Sequence, residues 1–296
     1  MKYGIVDIGS NTVRLNLYLA NDKDEIISLL NKKTVAGLST YIKDGQMTKK
    51  GADKLIRILK NYKQICDSFE IDEVHLFATA ALRNATNSKD VISYVEESIG
   101  KNIDLISGDE EANLGYIGIS EDYDIKNGYI VDIGGGSIEI SLVEDGKISY
   151  ATSLTEGHLS MYKKYSSEII PSKKEVSKMK KRVRKLLEKA EVPVLDSNTN
   201  VYGVGGTIRA CGNISQELFD LPTNSSVHKK TINKLKSKLI NRNRDAINKT
   251  IQIVPERIHT ITPGLVILSE IFDYVNANEL NISKKGVREG YLVKNM

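Results

Sequence analysis

The sequence predicts an α/β fold made of two similarly built domains, and two observations lead to this prediction. A strand that ends in Val-Asp-Ile-Gly occurs twice, in KYGIVDIGSN at the N-terminus and in GYIVDIGGGS halfway along the chain. After each copy, segments of strand periodicity alternate with segments of helical periodicity. The repeated strand indicates a duplicated domain, and the alternation indicates sheets flanked by helices.

Each copy continues in the same way. A turn of small residues leads to a second strand with alternating apolar residues, then to a polar turn and a third strand. The alternating residues are Val13, Leu15, Leu17 and Leu19 in the first copy and Ile138, Ile140 and Leu142 in the second. Each domain therefore begins with a three-stranded β unit.

The first half then predicts a helix whose apolar face contains Leu55, Leu59 and Tyr62, the strand VHLFATA, a helix over 88–99 capped by Ser88, and the strand NIDLI. The second half predicts helices over 154–165 and 172–189, the strand NVYGVGG leading into TIRACGNI, and mostly helix thereafter, with a short strand at 279–282. The polar segment EDYDIKNG separates the halves. We expect domains over 1–124 and 125–296, with the C-terminal helix free to pack back on the first domain.

Composition narrows the class of protein. The 296 residues carry a formal net charge of +4, and no apolar run approaches the roughly 20 residues that cross a bilayer. The N-terminus lacks the apolar stretch of a signal peptide. Cys66 and Cys211 are too few for a disulfide framework. We expect a cytoplasmic protein that does not bind a membrane.

Lysine and arginine are concentrated in residues 172–189 and 228–244. In the first segment Val176, Met179, Val183 and Leu186 recur at helical spacing, so the basic residues form the outer face of an amphipathic helix. A solvated face is the favoured interpretation, and a positive wall that steers a polyanion is the alternative. Aromatic residues are not interleaved with these segments, so no specific nucleic acid is expected.

The segment YIVDIGGGSIEI is the first candidate site. Glycines at the end of a strand can present bare N–H groups to a phosphate. Carboxylates beside a phosphate repel it unless a cation intervenes, so Asp132 and Glu139 suggest ligands for Mg²⁺. A tight β-turn capped by Asp132 explains the segment equally well. DIGSN at residues 7–11 is its counterpart, and we expect the two turns to face each other across an interdomain cleft.

Two further segments carry candidate chemical groups. Arg83 follows the strand in FATAALR and can grip phosphate bidentately, although a surface arginine paired with an acid is the simpler interpretation. In ISGDEEANLG, Ser107 and Glu110 have the spacing of a capping box, which leaves Glu111 to be explained. Glu111 is either a general base toward water or a favourable charge in the first turn of a helix. Gly115 and Gly118 share its small-residue face.

The remaining candidates are weaker. GVGG at 203–206 is a glycine corner between strand and helix that either binds phosphate or permits close packing. Arg257 is a second candidate phosphate clamp, whereas Arg288 and Glu289 are expected to pair at a helix start. His75 is expected in the core, and His158 follows a strand end. No P-loop, zinc motif or nucleophile elbow occurs in the sequence.

Together these segments resemble a known family. DIGSNTVRL, ATAALRNA, SGDEEANLGYIG, VDIGGGSIEI, GVGGT, PERIHTITPG and VREG occur in the order found in exopolyphosphatases and guanosine pentaphosphate phosphohydrolases, the Ppx/GppA family. The resemblance implies two actin-like (ribonuclease H-like) α/β domains of the actin, sugar kinase and heat-shock chaperone superfamily. It also implies Mg²⁺-dependent hydrolysis of a terminal phosphoanhydride, with Mn²⁺ as an alternative ion.

By resemblance, Glu111 is the catalytic glutamate, and Arg83 and Arg257 bind phosphate. Asp132 and Glu139 match the acidic metal positions, and Asp7 is the symmetric partner of Asp132. The loops that receive phosphate oxygens are matched by Gly9, Ser10, Asn11, Gly134, Gly135, Gly136, Ser137, Gly205 and Gly206. The chain departs from the family pattern at Ala80, where a serine is usual, and it ends soon after VREG. We therefore expect a short form, with a preference for short polyphosphates or lower processivity, and a homodimer is compatible with it.

The predicted function is exopolyphosphatase activity, the release of orthophosphate from inorganic polyphosphate by water that Glu111 activates. Guanosine pentaphosphate hydrolysis is the alternative within the family. The same fold also supports ATP-dependent sugar or acetate kinases and nucleotide-binding assembly proteins. Glu111 beside Arg83 argues against a kinase, and the lack of a separate substrate domain argues against an assembly protein.

Overall fold

The computed structural model describes residues 1–21, 26–195 and 199–296. The chain divides into two compact units, Met1–Glu111 with Asn295–Met296, and Ala112–Lys294. The polar turn predicted between the second and third strands, at residues 22–25, lies outside the described residues.

The first unit is built on a twisted sheet. Its strands are β1 (Lys2–Ile8), β2 (Thr12–Ala20), β3 (Ile26–Val35), β4 (Ile42–Lys43), β5 (Gln46–Met47), β6 (Glu73–Ala78) and β7 (Asp104–Leu105). The main sheet has the order β3-β2-β1-β6-β7, and β4 pairs separately with β5. Strands β1, β2 and β3 are antiparallel, whereas β6 and β7 continue parallel to β1. A parallel strand is usually buried on both faces, which explains the nearly continuous apolar sequence of β1.

Helices cover this sheet. They are α1 (Lys49–Ser68), α2 (Ala80–Arg83), α3 (Ser88–Ile99) and the start of α4 (Gly108–Ser120), with a 3₁₀ helix at Leu38–Tyr41. Thr48 caps α1 by accepting a hydrogen bond from the Gly51 N–H. Leu55, Leu59 and Tyr62 are buried on α1, as the sequence predicts.

The second unit repeats the arrangement. Its strands are β8 (Gly128–Ile133), β9 (Ile138–Glu144), β10 (Lys147–Leu154), β11 (Val201–Val204), β12 (Ser226–His228) and β13 (Glu279–Ile282). They form one sheet with the order β10-β9-β8-β11-β13-β12. A hairpin unit, β8 to β10, is again followed by strands parallel to the first, here β11 and β13. The duplication predicted from Val-Asp-Ile-Gly is thus present in the sheet topology.

The helices of the second unit are α5 (His158–Tyr165), α6 (Lys173–Lys189), α7 (Gly205–Phe219), α8 (Lys229–Ile240), α9 (Arg244–Ile253), α10 (Ile261–Tyr274) and α11 (Val287–Asn295), with a 3₁₀ helix at Pro255–Arg257. Among the described residues, none of the helices in either unit combines the length and apolar character needed to cross a membrane. Both cysteines are buried free thiols.

Three sequence predictions differ from the structure in detail. The helix predicted over 154–165 begins four residues later, at His158, because Leu154 still belongs to β10. NIDLI forms only the two-residue strand β7. Ser88 is not the cap of α3; Asn87 occupies that position without a side-chain cap, because its amide bonds to the N–H and carbonyl of Met47.

The two compact units divide the chain after Glu111, whereas the sequence places the boundary at 124/125. The helix α4 therefore begins in one unit and ends in the other. Its second half packs closely on α11 within the second unit, because a Cβ at Gly118 would overlap the backbone of Gly286, and one at Gly290 would overlap Leu114. The small-residue face predicted on α4 serves this contact.

Candidate active site

Arg83 and Glu111 form an ion pair in the first unit. The Arg83 Nη1 donates a hydrogen bond to the Glu111 Oε2 at 2.7 Å and to the Ile106 carbonyl at 3.2 Å. The two side chains are 18% and 13% exposed. Charged hydrogen bonds of this length are stronger than neutral ones, especially when partly shielded from water. Arg83 thus fixes the direction of the Glu111 carboxylate, which the sequence had placed beside it only by resemblance.

The start of α4 separates the roles of the neighbouring glutamates. The Glu110 N–H donates to the Ser107 Oγ at 3.1 Å, and the Glu111 N–H donates to the Ser107 carbonyl at 3.0 Å. Ser107 therefore satisfies donors at the helix start, as the capping argument predicts. Glu111, one residue on, turns toward Arg83 instead of solvent.

The turn between β1 and β2 contains Gly9, Ser10 and Asn11. The Gly9 N–H donates to the Thr12 carbonyl at 3.0 Å, which closes the turn. The Ser10 and Asn11 carbonyls accept hydrogen bonds from the backbone of residues 36–39 at 2.8 to 2.9 Å. Asp7 lies on β1 just before this turn, in register with Arg14 of β2. Asp7 therefore belongs to the first unit, and Asp132 and Glu139 to the second.

The corresponding turn of the second unit is held from behind by α5. The Gly134 carbonyl accepts from the His158 N–H at 3.0 Å, and the Gly135 carbonyl accepts from Leu159 and Ser160 at 3.0 and 3.1 Å. In a trans peptide the N–H points opposite to the carbonyl. The N–H groups of Gly135 and Gly136 are therefore directed away from α5, the orientation that an anion-binding turn requires.

Gly157 makes this contact with the turn possible. A Cβ at Gly157 would overlap the Gly134 carbonyl and the backbone of Gly135 and Gly136. The helix start can thus reach the turn only if residue 157 has no side chain. The His158 side chain is buried, and its backbone N–H contributes to this support. The sequence noted His158 as a candidate, but its backbone position explains its proximity to the turn.

Asp132 and Glu139 are directly opposite each other on β8 and β9. Residues paired in this way project to the same face of an antiparallel ladder, with Cβ atoms about 4.5–5.5 Å apart. Glu139 is buried and accepts a hydrogen bond from the Ser153 hydroxyl at 2.9 Å. Two carboxylates in this position repel each other, and a cation between them removes the repulsion.

This donor set fits Mg²⁺. In proteins Mg²⁺ is usually held by one or two carboxylates, and water or phosphate oxygens complete its octahedral shell. No cluster of three or more His, Cys, Asp or Glu side chains suited to a metal occurs among the described residues. Asp132 and Glu139 offer only oxygen ligands, which suit Mg²⁺ better than structural Zn²⁺, an ion usually held by Cys and His.

The corner between β11 and α7 lies against the same carboxylate. Gly205 has φ +86°, and a Cβ there would overlap the Asp132 Oδ1. A Cβ at Gly206 would overlap the guanidinium of Arg257. The Thr207 hydroxyl donates to the Ile133 carbonyl at 3.2 Å and ties α7 to the end of β8. The structure thus brings Asp132, Gly205, Gly206 and Arg257 together within the second unit.

Sequence reasoning missed Arg209. Burial, and next the like charge of Arg288, lower the pKa of Arg209, and Arg257 acts in the same direction. Asp132 and Glu289 raise the same pKa. Arg209 therefore lies among four other charged groups of the corner. Its position four residues after Gly205, on the same face of α7, is the signal that could have identified it.

Glu289 lies at a helix start, where the sequence predicts it. Its Oε2 accepts a hydrogen bond from the Gly286 N–H at 2.8 Å, which caps the start of α11. The positive charge of Arg288 lowers the pKa of Arg209.

His259 follows Arg257 by two residues. Burial lowers the pKa of His259, and the positive charge of Arg257 lowers it further.

The repeated sheet order and the turns at equivalent strand ends define the class of protein, a pair of actin-like α/β domains. A structure from Aquifex aeolicus, described as a member of the Ppx/GppA protein family, is similar in fold, with a TM-score of 0.82 and 24% identity over 100% of this chain and 97% of that one.

The particular family follows from the sequence comparison. The model of the Ppx/GppA phosphatase family matches residues 21–296, and the chain belongs to that family. Exopolyphosphatase 1 of Mycobacterium tuberculosis is 31% identical over 202 residues, which cover 67% of this chain and 59% of that protein. Exopolyphosphatase 1 of Mycobacterium leprae is 25% identical over 307 residues, covering 100% of this chain and 90% of that protein.

Proposed function

We propose that this protein is an exopolyphosphatase that releases orthophosphate from the end of inorganic polyphosphate. The observation that carries the proposal is the 2.7 Å ion pair between Arg83 and Glu111 at the start of α4. The largely buried carboxylate, held in one direction by a guanidinium, is suited to orient a water molecule and accept its proton. The names of the mycobacterial relatives support the choice of polyphosphate as the substrate.

In the proposed reaction, water attacks the terminal phosphorus in line with the departing chain, and Glu111 accepts the water proton. Arg83, which is held against Glu111, is proposed to donate to the transferring phosphoryl group as well. In the second unit, the N–H groups of Gly135 and Gly136 donate to phosphate oxygens, and Arg257 and Arg209 balance their charge.

Asp132 and Glu139 would hold Mg²⁺ where β8 ends and β9 begins. When bound, the ion supplies positive charge that offsets the negative charge of neighbouring phosphates. Ser153 keeps Glu139 in place by donating to its carboxylate at 2.9 Å. Asp7 and the turn at Gly9, Ser10 and Asn11 are proposed to bind phosphate or water from the first unit.

The test is phosphate release measured in parallel from short polyphosphate, long polyphosphate and guanosine pentaphosphate, with and without Mg²⁺. The Glu111→Gln variant should lower turnover at least about a hundredfold while leaving substrate binding nearly intact. Near-normal turnover in this variant would contradict the role of Glu111.

The parallel substrates decide between the two family activities. The corner at Gly205 and Gly206 lies beside Arg257, an arrangement that also suits the phosphates of a nucleotide. Phosphate release from guanosine pentaphosphate alone would show that the protein is a guanosine pentaphosphate phosphohydrolase and not an exopolyphosphatase. The cytoplasmic location, the chain-length preference and the homodimer expected from the sequence stay predictions.

A further inference from the structure

A shallow groove of about 620 Å³ lies between α1 and α3 in the first unit. Its cationic residues are Lys49, Lys50, Arg57 and Lys60, and its other lining includes Ile56 and Tyr94. None of these residues takes part in the site around Arg83 and Glu111. We call this surface the α1 groove.

The cations of the α1 groove form one row. At 3.6 residues per turn, Lys49, Lys50, Arg57 and Lys60 fall within about a third of the helix circumference. The twelve residues from Lys49 to Lys60 extend over roughly 16 Å along the axis, in eleven steps of 1.5 Å. The groove therefore presents a linear array of positive charge and not a single point.

Asp53 offsets this array only in part, with one negative charge against the four positive charges of the lining. Its Oδ1 accepts a hydrogen bond from the Tyr94 hydroxyl at 2.9 Å, which fixes the position of the carboxylate and leaves its charge in place. Within the described part of the chain, no acidic side chain forms an ion pair with Lys50, Arg57 or Lys60. All three side chains are exposed.

The basic helix α6 provides the contrast. There Lys180 pairs with Glu270 at 3.1 Å, and Arg182 pairs with Glu156 at 2.7 Å. Part of the α6 charge is thus used in ion pairs within the fold, and no residue of α6 is among those that line the α1 groove. The α1 groove combines exposed cations with a concavity.

We propose that the α1 groove binds an internal segment of an inorganic polyphosphate chain. This inference rests on the proposed exopolyphosphatase function and adds a second binding segment to it. Every repeat of polyphosphate carries a negative charge, which matches a row of cations along a helix. Arginine and lysine both bind phosphate oxygens, lysine as a point charge and arginine as a planar fork.

Single-stranded nucleic acid suits the groove less well. Proteins bind such strands by stacking successive bases on aromatic rings. Tyr94 is the aromatic side chain of the groove, and its hydroxyl is bound to Asp53 while Lys49 lies 6.0 Å from its ring centre. One tyrosine engaged in this way offers no series of stacking surfaces.

The experiment measures binding and not turnover. In the full-length Glu111→Gln background, the triple variant Lys50→Ala, Arg57→Ala, Lys60→Ala is compared with its parent for binding of long-chain polyphosphate and of tripolyphosphate. We expect at least about a tenfold loss of affinity for the long chain at low salt. The slope of log K against log salt should become shallower by roughly 2, since bound phosphates release counterions. Tripolyphosphate affinity should not change.

A matched control removes three exposed charges from α6, in the variant Lys174→Ala, Lys178→Ala, Lys185→Ala. It should change long-chain affinity by less than about twofold. Equal losses of affinity in the two triple variants would show that affinity follows the net charge of the protein. That result would contradict the inference that the α1 groove binds polyphosphate. The single variant Arg57→Glu repeats the test with one change at an exposed position. Unaltered affinity for the long chain in both groove variants would also contradict the inference.

Two further measurements separate the proposals. A single-stranded RNA homopolymer that loses more affinity than polyphosphate in the groove variant would identify nucleic acid as the ligand and contradict the inference. Polyphosphate hydrolysis by the wild-type protein is measured at the same time. Its absence would refute the exopolyphosphatase function, whereas hydrolysis with unchanged binding in the groove variants would refute only the second binding segment.

Discussion

Gly205 lies directly beneath the Asp132 carboxylate, with a backbone φ of +86°. Both the left-handed conformation and the close approach favour glycine at this position. The Gly205→Ala variant should therefore lose stability, by about 2–4 kcal/mol, and displace Asp132. Chemical denaturation measures the first effect, and the Mg²⁺ dependence of phosphate release measures the second.

Gly100→Ala is the matched control for Gly205→Ala. Gly100 ends α3 with φ +69°, but nothing lies within 4 Å of a Cβ built there. This variant should cost about 1 kcal/mol and leave phosphate release unchanged. Equal effects of both variants on the Mg²⁺ dependence would argue against a specific contact between Gly205 and Asp132.

Glu139→Gln tests the paired carboxylates of β8 and β9. Removing one negative charge weakens the attraction for a divalent cation, so the Mg²⁺ concentration for half-maximal activity should rise at least about tenfold. Ser153→Ala removes the hydrogen bond to Glu139 but keeps both charges, and its effect should be smaller. A chelator should abolish activity in every form. An unaltered Mg²⁺ dependence in Glu139→Gln would show that Glu139 does not bind the metal.

The ion pair of Arg83 and Glu111 can be tested by a double-mutant cycle. If Arg83 acts by directing Glu111, then Arg83→Ala combined with Glu111→Gln should lower turnover no further than Glu111→Gln alone. Turnover of all four proteins is measured at saturating polyphosphate. Fully additive losses would show that Arg83 acts independently of Glu111, for example only on phosphate.

Lys236 gives a pH-dependent prediction for stability. It is a buried residue of α8 that bonds to Ser269 of α10 and to Asn233, and its pKa is lowered to about 8, chiefly by burial. The charges of Lys180 and Lys229 act in the same direction as burial, whereas those of Asp273 and Glu270 oppose it. Between about pH 8 and the ordinary lysine pKa near 10.4, the unfolded chain binds more protons at this site, so Lys236 contributes stability that increases with pH.

The comparison with Lys236→Met isolates this effect. Burial raises the pKa of Cys66 to about 11 and that of Cys211 to about 12, and these thiols make stability fall as pH rises above about 8.5. The free energy of unfolding of the wild type, minus that of Lys236→Met, should increase by roughly 2–3 kcal/mol from pH 7 to pH 10. A difference that stays constant across this range would contradict the lowered pKa.

Local patterns in the sequence predict much of the fold. Helix α6 follows from the spacing of Val176, Met179 and Val183, and its start follows from Ser172 and Glu175, which form a capping box in the structure. The duplicated hairpins follow from Val-Asp-Ile-Gly and alternating apolar residues. These signals involve neighbours in the chain, so the sequence alone carries them.

The features that the sequence does not predict depend on distant contacts. Arg209 becomes notable only because folding brings it near Arg288 and Asp132, which lie more than seventy residues away in the chain. Helix α5 begins at His158, later than the sequence predicts, and the contact between Gly157 and Gly134 accompanies this start. The residues around Arg209 and those around Gly157 look locally like an ordinary helix and an ordinary turn. The roles assigned to the site residues stay predictions until the variants are measured.

The support that α5 gives to the turn at Gly134 and Gly135 has a consequence for affinity. A turn whose carbonyls are already bound loses little conformational entropy when an anion docks, so preorganisation contributes to binding without adding charge. A substitution such as Gly157→Ala would loosen the turn and weaken phosphate binding while leaving every charged side chain in place. If the turn binds phosphate as proposed, its affinity depends partly on α5, a helix to which no phosphate contact is assigned.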